Sequence, residues 1–157
     1  MKVKVKKVKN IECGAFEAVE LFVGAVLNAS IRGFFERFNG GEPALNVFDV
    51  GDDNSSGINQ FIPVSEVIAE LKRFEFRKGF IPIAWAEGGN YVAVDLIDGC
   101  VYFVDHEVLD RYVKLSVGVD AFLDELNPTS IDDVVLKPGQ VIKTWVNPNP
   151  IKGLKGK

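Results

Sequence analysis

Histidine and cysteine are scarce. The 157 residues include one histidine, His106, and two cysteines, Cys13 and Cys100, far apart and outside any CxxC pair. A disulfide framework is excluded, and the default is a reducing, intracellular setting with buried free thiols. A zinc site would have to draw most of its ligands from carboxylates. Walker A, GxGxxG and GxSxG sequences are missing, which removes the usual phosphate cradles and the nucleophile elbow. Long apolar runs are missing too. Near the N-terminus the longest uncharged stretch, Leu21 to Ile31, has 11 residues, too few to cross a bilayer. Glu12, Glu17 and Glu20 interrupt the apolar region that a signal peptide would need after basic residues 2–9. These absences describe a soluble, cytoplasmic protein without a membrane segment.

What is present is an ordinary globular composition, 47% hydrophobic and 25% charged, so disordered, collagen-like and coiled-coil classes are excluded. The length suits one domain, spanning 1–157, and a chain of this size buries roughly 70% of its unfolded surface. It needs neither disulfides nor a structural metal. The net charge of −4 conceals an asymmetry. Residues 1–10 and 137–157 carry five lysines each and no acids, while residues 11–136 hold all 22 acids beside eight basic residues, a net −14. An acidic body repels nucleic acid and attracts basic proteins. The lysine-rich ends offset that charge, and lysines alone give only sequence-independent attraction to phosphate.

Periodicity outlines the elements. Alternating valine and lysine over 2–9 predicts a strand with one apolar face. Phe16, Val19 and Val23 predict one helical piece, and Ile31, Phe34, Phe35 and Phe38 a second with a clear stripe. Asn28 and Ser30 are N-cap types for that second helix, and Asn39-Gly40-Gly41 ends it through left-handed backbone. A strand over 45–50, a polar loop over 51–57 and a brief strand over 58–62 follow. Pro63 opens a helix over 64–76. Residues 80–86, 91–96 and 101–104 predict an antiparallel meander, with turns at Gly88-Gly89-Asn90 and Asp98-Gly99. A helix over 119–126 stops before Pro128. Residues 133–136 and 141–146 are expected to form a hairpin through Lys137-Pro138-Gly139-Gln140, and the last residues to fray.

Catalytic chemistry finds little support in these residues. His106 lies between Asp105 and Glu107, but neighbours along a strand point to opposite faces, so adjacency is not a dyad. A histidine capping or packing a strand end is the better reading. Asp52, Asn54, Ser56 and Gly57 match the start of a calcium loop, yet its twelfth position falls on Pro63, where a bidentate glutamate is required. A solvated turn explains them. Asp95, Asp98, Asp105 and Glu107 lie close enough in sequence for paired-carboxylate chemistry, although proximity is common among so many acids. The phenylalanines read as core. Trp85 reads as core as well, and Trp145 as a possible interface anchor.

Three blocks together resemble the SUKH superfamily, in its Smi/Knr branch. The first is Glu20, Gly24, Leu27 and Asn39-Gly40-Gly41-Glu42-Pro43. The second comprises Gly79-Phe80-Ile81-Pro82-Ile83, Gly88-Gly89, Tyr91 to Asp95, Val101-Tyr102-Phe103 and Asp105-His106-Glu107. The third is Val119, Phe122-Leu123 and Leu126. The sequence departs from the pattern at Val23, at Asn28, where proline is usual, and at Gly118, where a serine usually caps the last helix. The resemblance implies an α+β fold: a mostly antiparallel mixed sheet with helices packed around it. The SUKH-like core is placed at 11–127. Residues 1–10 and 128–157 fall outside the pattern, and the alternation read above makes 128–157 a β-like extension.

The resemblance also implies no catalysis and no cofactor. Bacterial members are mostly immunity proteins that bind and neutralise a cognate toxin, often a nuclease, in polymorphic or contact-dependent systems. Fungal members are regulators of cell-wall synthesis acting through protein partners. The expected partner is therefore a cognate toxin or other basic protein, the alternative being an endogenous partner of a regulatory scaffold. Partner-binding residues are expected in predicted loops at Asp52, Asp53, Asp105, Glu107 and Asp110. The N-terminal strand is expected to pair with the terminal hairpin through Val3 and Val5 against Val141 and Trp145.

Overall fold

A computed structural model describes residues 3–128. Two helices open the fold, α1 (Ala15–Val23) and α2 (Ala29–Phe38). Asn28 is the N-cap of α2, its side-chain oxygen accepting the Ile31 N–H at 3.0 Å, so the residue standing in place of the family's proline supplies the cap. Short strands β1 (Val5–Lys6) and β2 (Glu42–Pro43) form a two-stranded ribbon. Then come β3 (Leu45–Val50), β4 (Asn54–Phe61), α3 (Val67–Arg73), β5 (Phe80–Ala86), β6 (Tyr91–Asp95), β7 (Val101–Val104), β8 (Tyr112–Ser116), α4 (Val119–Asp124) and β9 (Asn127–Pro128).

The main sheet has seven strands in the order β8-β7-β6-β5-β4-β3-β9, and every described pairing is antiparallel. Helices cover both faces. On one, Phe34 of α2 meets Phe61 edge-on with ring centroids 5.1 Å apart, and Phe122 of α4 meets Phe48 at 5.6 Å. On the other, Phe74 and Phe76 pack on Tyr91, whose hydroxyl donates to the buried Glu70 carboxylate of α3 at 2.7 Å. Burial, and then that carboxylate, push the Tyr91 phenol up to about 12. The opposite Glu70 oxygen pairs with Arg73 at 2.9 Å, so a charge almost wholly removed from water keeps two partners.

Several elements differ from the periodicity reading. The N-terminal strand shrinks to Val5–Lys6, because Lys7 takes a left-handed conformation (φ 59°), and it pairs with Glu42–Pro43. The proposed partners 133–136 and 141–146, and Trp145, lie outside the described residues. The polar loop contracts to 51–53: Asn54, Ser55 and Ser56 are already in β4, paired with Val50, Asp49 and Phe48. The half-matched calcium loop is thus the tip of a hairpin. The helix over 64–76 divides into a 3-10 turn at Val64–Glu66 and α3, with Phe74 extended. Strand β8 had no counterpart in the pattern. It is an edge strand carrying Lys114, which weakens the alternation and also discourages pairing with another chain. Both cysteines are free, but Cys13 is exposed rather than buried. At the end of α2, Gly40 takes the left-handed backbone (φ 69°), whereas Asn39 does not.

Candidate protein-binding surface

Three connections meet at one end of the sheet: the turn at 51–53, the 3-10 turn at Glu87–Gly89 and the loop at 105–111. Antiparallel register brings them together, since Trp85 pairs with Tyr91, Tyr91 with Val104, and Val104 with Tyr112. Between them lies an open, mainly polar groove of about 340 Å³, lined by Val50, Asn54, Ser55, Ser56, Glu87, Asn90, Phe103, Asp105 and Arg111. Asp52 and Asp53 sit on the turn between two of the lining positions and are exposed.

The five anticipated acids have different local roles. Asp105 folds its own loop: one carboxylate oxygen accepts the N–H groups of Glu107 at 2.9 Å and Val108 at 3.2 Å, and the other pairs with Arg111 at 3.1 Å. The Glu107 N–H, helped by that of Val108 and by Arg111, holds the Asp105 carboxyl below its ordinary value against the opposing effect of burial. Asp110 has φ 60° and is tied to Arg77 at 3.2 Å, while the Arg77 guanidinium lies 4.1 Å from the Tyr112 ring centre. Asp52, Asp53 and Glu107 point into solvent. Glu87, Asn90 and Arg111 complete the groove, and pattern reading missed all three. Only the turn chemistry of Asn90 was visible in advance.

His106 is a loop residue. Its backbone N–H donates to Asn90 Oδ1 at 3.0 Å, its ring Nδ1 lies 2.9 Å from the same oxygen, and its ring rests against Gly89. The carboxylates considered for paired chemistry fall at opposite ends of β7. Asp95 and Asp98 bond the N–H groups of Ile97 and Cys100 in the β6–β7 turn, and four strand residues, about 13 Å, separate that turn from Asp105. For a pair drawn from the two ends that exceeds the spacing either glycosidase geometry uses, and within each end Asp95, Asp98 and Asp105 accept backbone N–H groups of their own turns. No group of histidine, cysteine, aspartate and glutamate among the described residues could hold a metal ion.

The first signature block builds the scaffold rather than the groove. Glu20 accepts the Leu27 N–H at 2.8 Å and pairs with Arg32 at 2.7 Å, which closes the α1–α2 connection. Asn39 is buried. Its amide donates to the carbonyls of Lys9 and Asn10, and its oxygen accepts the Val64 N–H at 2.7 Å. Gly41 lies so close to β1 that a Cβ there would overlap the Val5 side chain. The model of a known family, described as SMI1 / KNR4 family (SUKH-1), matches residues 11–125. The chain belongs to that family. It carries a SUKH domain of protein-binding or immunity-like type, and its signature residues hold the helices, the ribbon and the 3-10 turn in register. No curated protein matches it. No helix among the described residues is long and apolar enough to cross a membrane.

These internal carboxylates imply an acid limit. Glu20, through its hydrogen bonds with Arg32 and then Leu27, and Asp105, through the Glu107 N–H, have folded-state pKa values below the ordinary ones. Their contribution is complete above the unfolded carboxylate range of about 4. It disappears as pH falls through the lower folded values. Denaturant midpoints measured from neutral pH downward should fall below the unfolded range, and Glu20→Gln with Asp105→Asn should flatten that fall.

Proposed function

We propose that this SUKH domain is a non-catalytic, cofactor-free immunity protein of the cytoplasm that binds and neutralises a cognate basic toxin, with a nuclease as the favoured class. The observation that carries this reading is the convergence of Asp52, Asp53, Glu87, Asp105 and Glu107 at one end of the sheet, where Arg111 is the cation lining the groove. Such a surface accelerates encounter with a basic protein and disfavours nucleic acid. Asp52, Asp53 and Glu107 meet the partner in this reading. Asp105 and Asp110 hold their loop in the shape that presents Glu107. A regulatory scaffold of the Smi/Knr type would use the same surface on an endogenous partner, and an adjacent gene for a large secreted toxin separates the two roles.

The test is the salt dependence of association with the toxin that this reading expects an adjacent gene to encode. The on-rate should fall steeply as ionic strength rises past the point where the Debye length is about 10 Å. His106→Ala should leave the affinity within about twofold, with a small loss of stability. A salt-independent on-rate contradicts the acidic-surface reading. A hydrolytic activity of the purified protein that vanishes in this variant contradicts the non-catalytic one.

A further inference from the structure

A second groove, also of about 340 Å³, lies between the end of α1 and the segment joining α3 to β5, and its chemistry is the reverse of the first. Its walls are apolar, with Phe22, Leu71, Phe76 and Phe80 among them, and its rim carries Glu75, Arg77 and Lys78. Lys72 Nζ lies 5.6 Å from the Phe22 ring centre. In a body of net −14, four of the eight basic residues, Lys72, Arg73, Arg77 and Lys78, fall within seven positions. Phe22 remains 48% exposed, and Ile97, 89% exposed, follows Leu96, whose N–H bonds the Gly79 carbonyl beside the groove. Apolar side chains gathered at a cationic rim mark an interaction surface rather than ordinary scattered exposure.

The feature that would fill this groove stands next to it. Arg77 holds both the side chain and the carbonyl of Asp110, which brings the 105–111 loop to the rim. That loop displays Leu109, 84% exposed, with Glu107 and Asp110 nearby. An acidic loop with an apolar tip thus borders an apolar groove with a basic rim, and its leucine does not enter. A face that carries both a feature and its complement is what a two-fold interface requires, because each contact is then made twice. We infer that this face binds a second copy of the chain, the Leu109 of each copy entering the groove of the other and the acidic loop meeting Lys72 and Lys78. Self-association needs no partner protein, so its test is independent of the reading above, but Glu107 belongs to both surfaces and the two contacts compete for the 105–111 loop.

Sedimentation velocity of the full chain over about a hundredfold range of concentration tests this. The expected result is a concentration-dependent shift from one to two chains of 17.3 kDa. Leu109→Ser and Lys78→Glu should each raise the dissociation constant by at least about tenfold while leaving the far-ultraviolet circular dichroism unchanged. A single-chain mass at every concentration overturns the proposal, including the case in which the groove takes an acidic peptide instead. A dimer that both variants leave intact overturns it as well.

Discussion

Reversing Asp52, Asp53 and Glu107 together to lysine is expected to slow association with the basic partner about ten- to a hundredfold at low salt. The three side chains are exposed, and none is held by the ion pairs that fix Asp105 and Asp110. The substitution therefore changes the field at that end of the sheet without disturbing the loops that create it. Stopped-flow association kinetics, with the unfolding midpoint as a control, read the two effects separately. An unchanged on-rate at low ionic strength removes these residues from the encounter surface. Asp105→Asn and Asp110→Asn act differently. They loosen the Asp105 turn and the Arg77 contact, so their effect on binding should come with greater loop exchange and persist at high salt.

Asn39→Ala is expected to destabilise the fold by about 3–5 kcal/mol. The carboxamide joins three segments at once, and its removal leaves the buried Val64 N–H without its acceptor and the part-buried carbonyls of Lys9 and Asn10 without their donor. Asn39→Asp should be no gentler. It keeps an acceptor for Val64 but loses both donors and buries a charge facing two carbonyls. Denaturant unfolding measures the loss. A change below about 1 kcal/mol would mean that the signature asparagine is not the junction its geometry describes.

The two helices before residue 40 were legible because each has an apolar stripe at helical spacing, and the meander because Asp98-Gly99 and Gly88-Gly89-Asn90 are strong turn signals. The start of β4 was not. Asn54 and Ser55 are exposed and Ser56 half-buried at a hairpin tip, and such polar strand residues have no apolar pattern to read. Edge strand β8 was hidden for a related reason, with Lys114 exposed between partly buried neighbours. The partner of Val5–Lys6 was out of reach because it lies in the Asn-Gly-Gly-Glu-Pro turn, far along the chain and selected by the room that Gly41 leaves. At the candidate surface the acidity was readable and the division of labour was not. Asp105 and Asp110 are bound by cations at positions 111 and 77, and the second of these reaches its acid only through the fold.

Titration of a toxin with the purified SUKH protein, the toxin being one that the neighbourhood of this gene is expected to encode, tests the central claim most directly. The account predicts that toxic activity falls in proportion to added protein and is abolished near a one-to-one ratio, at concentrations where the complex also forms in the absence of substrate. Undiminished toxin activity at a large excess of the folded protein, with no complex formed, would contradict it.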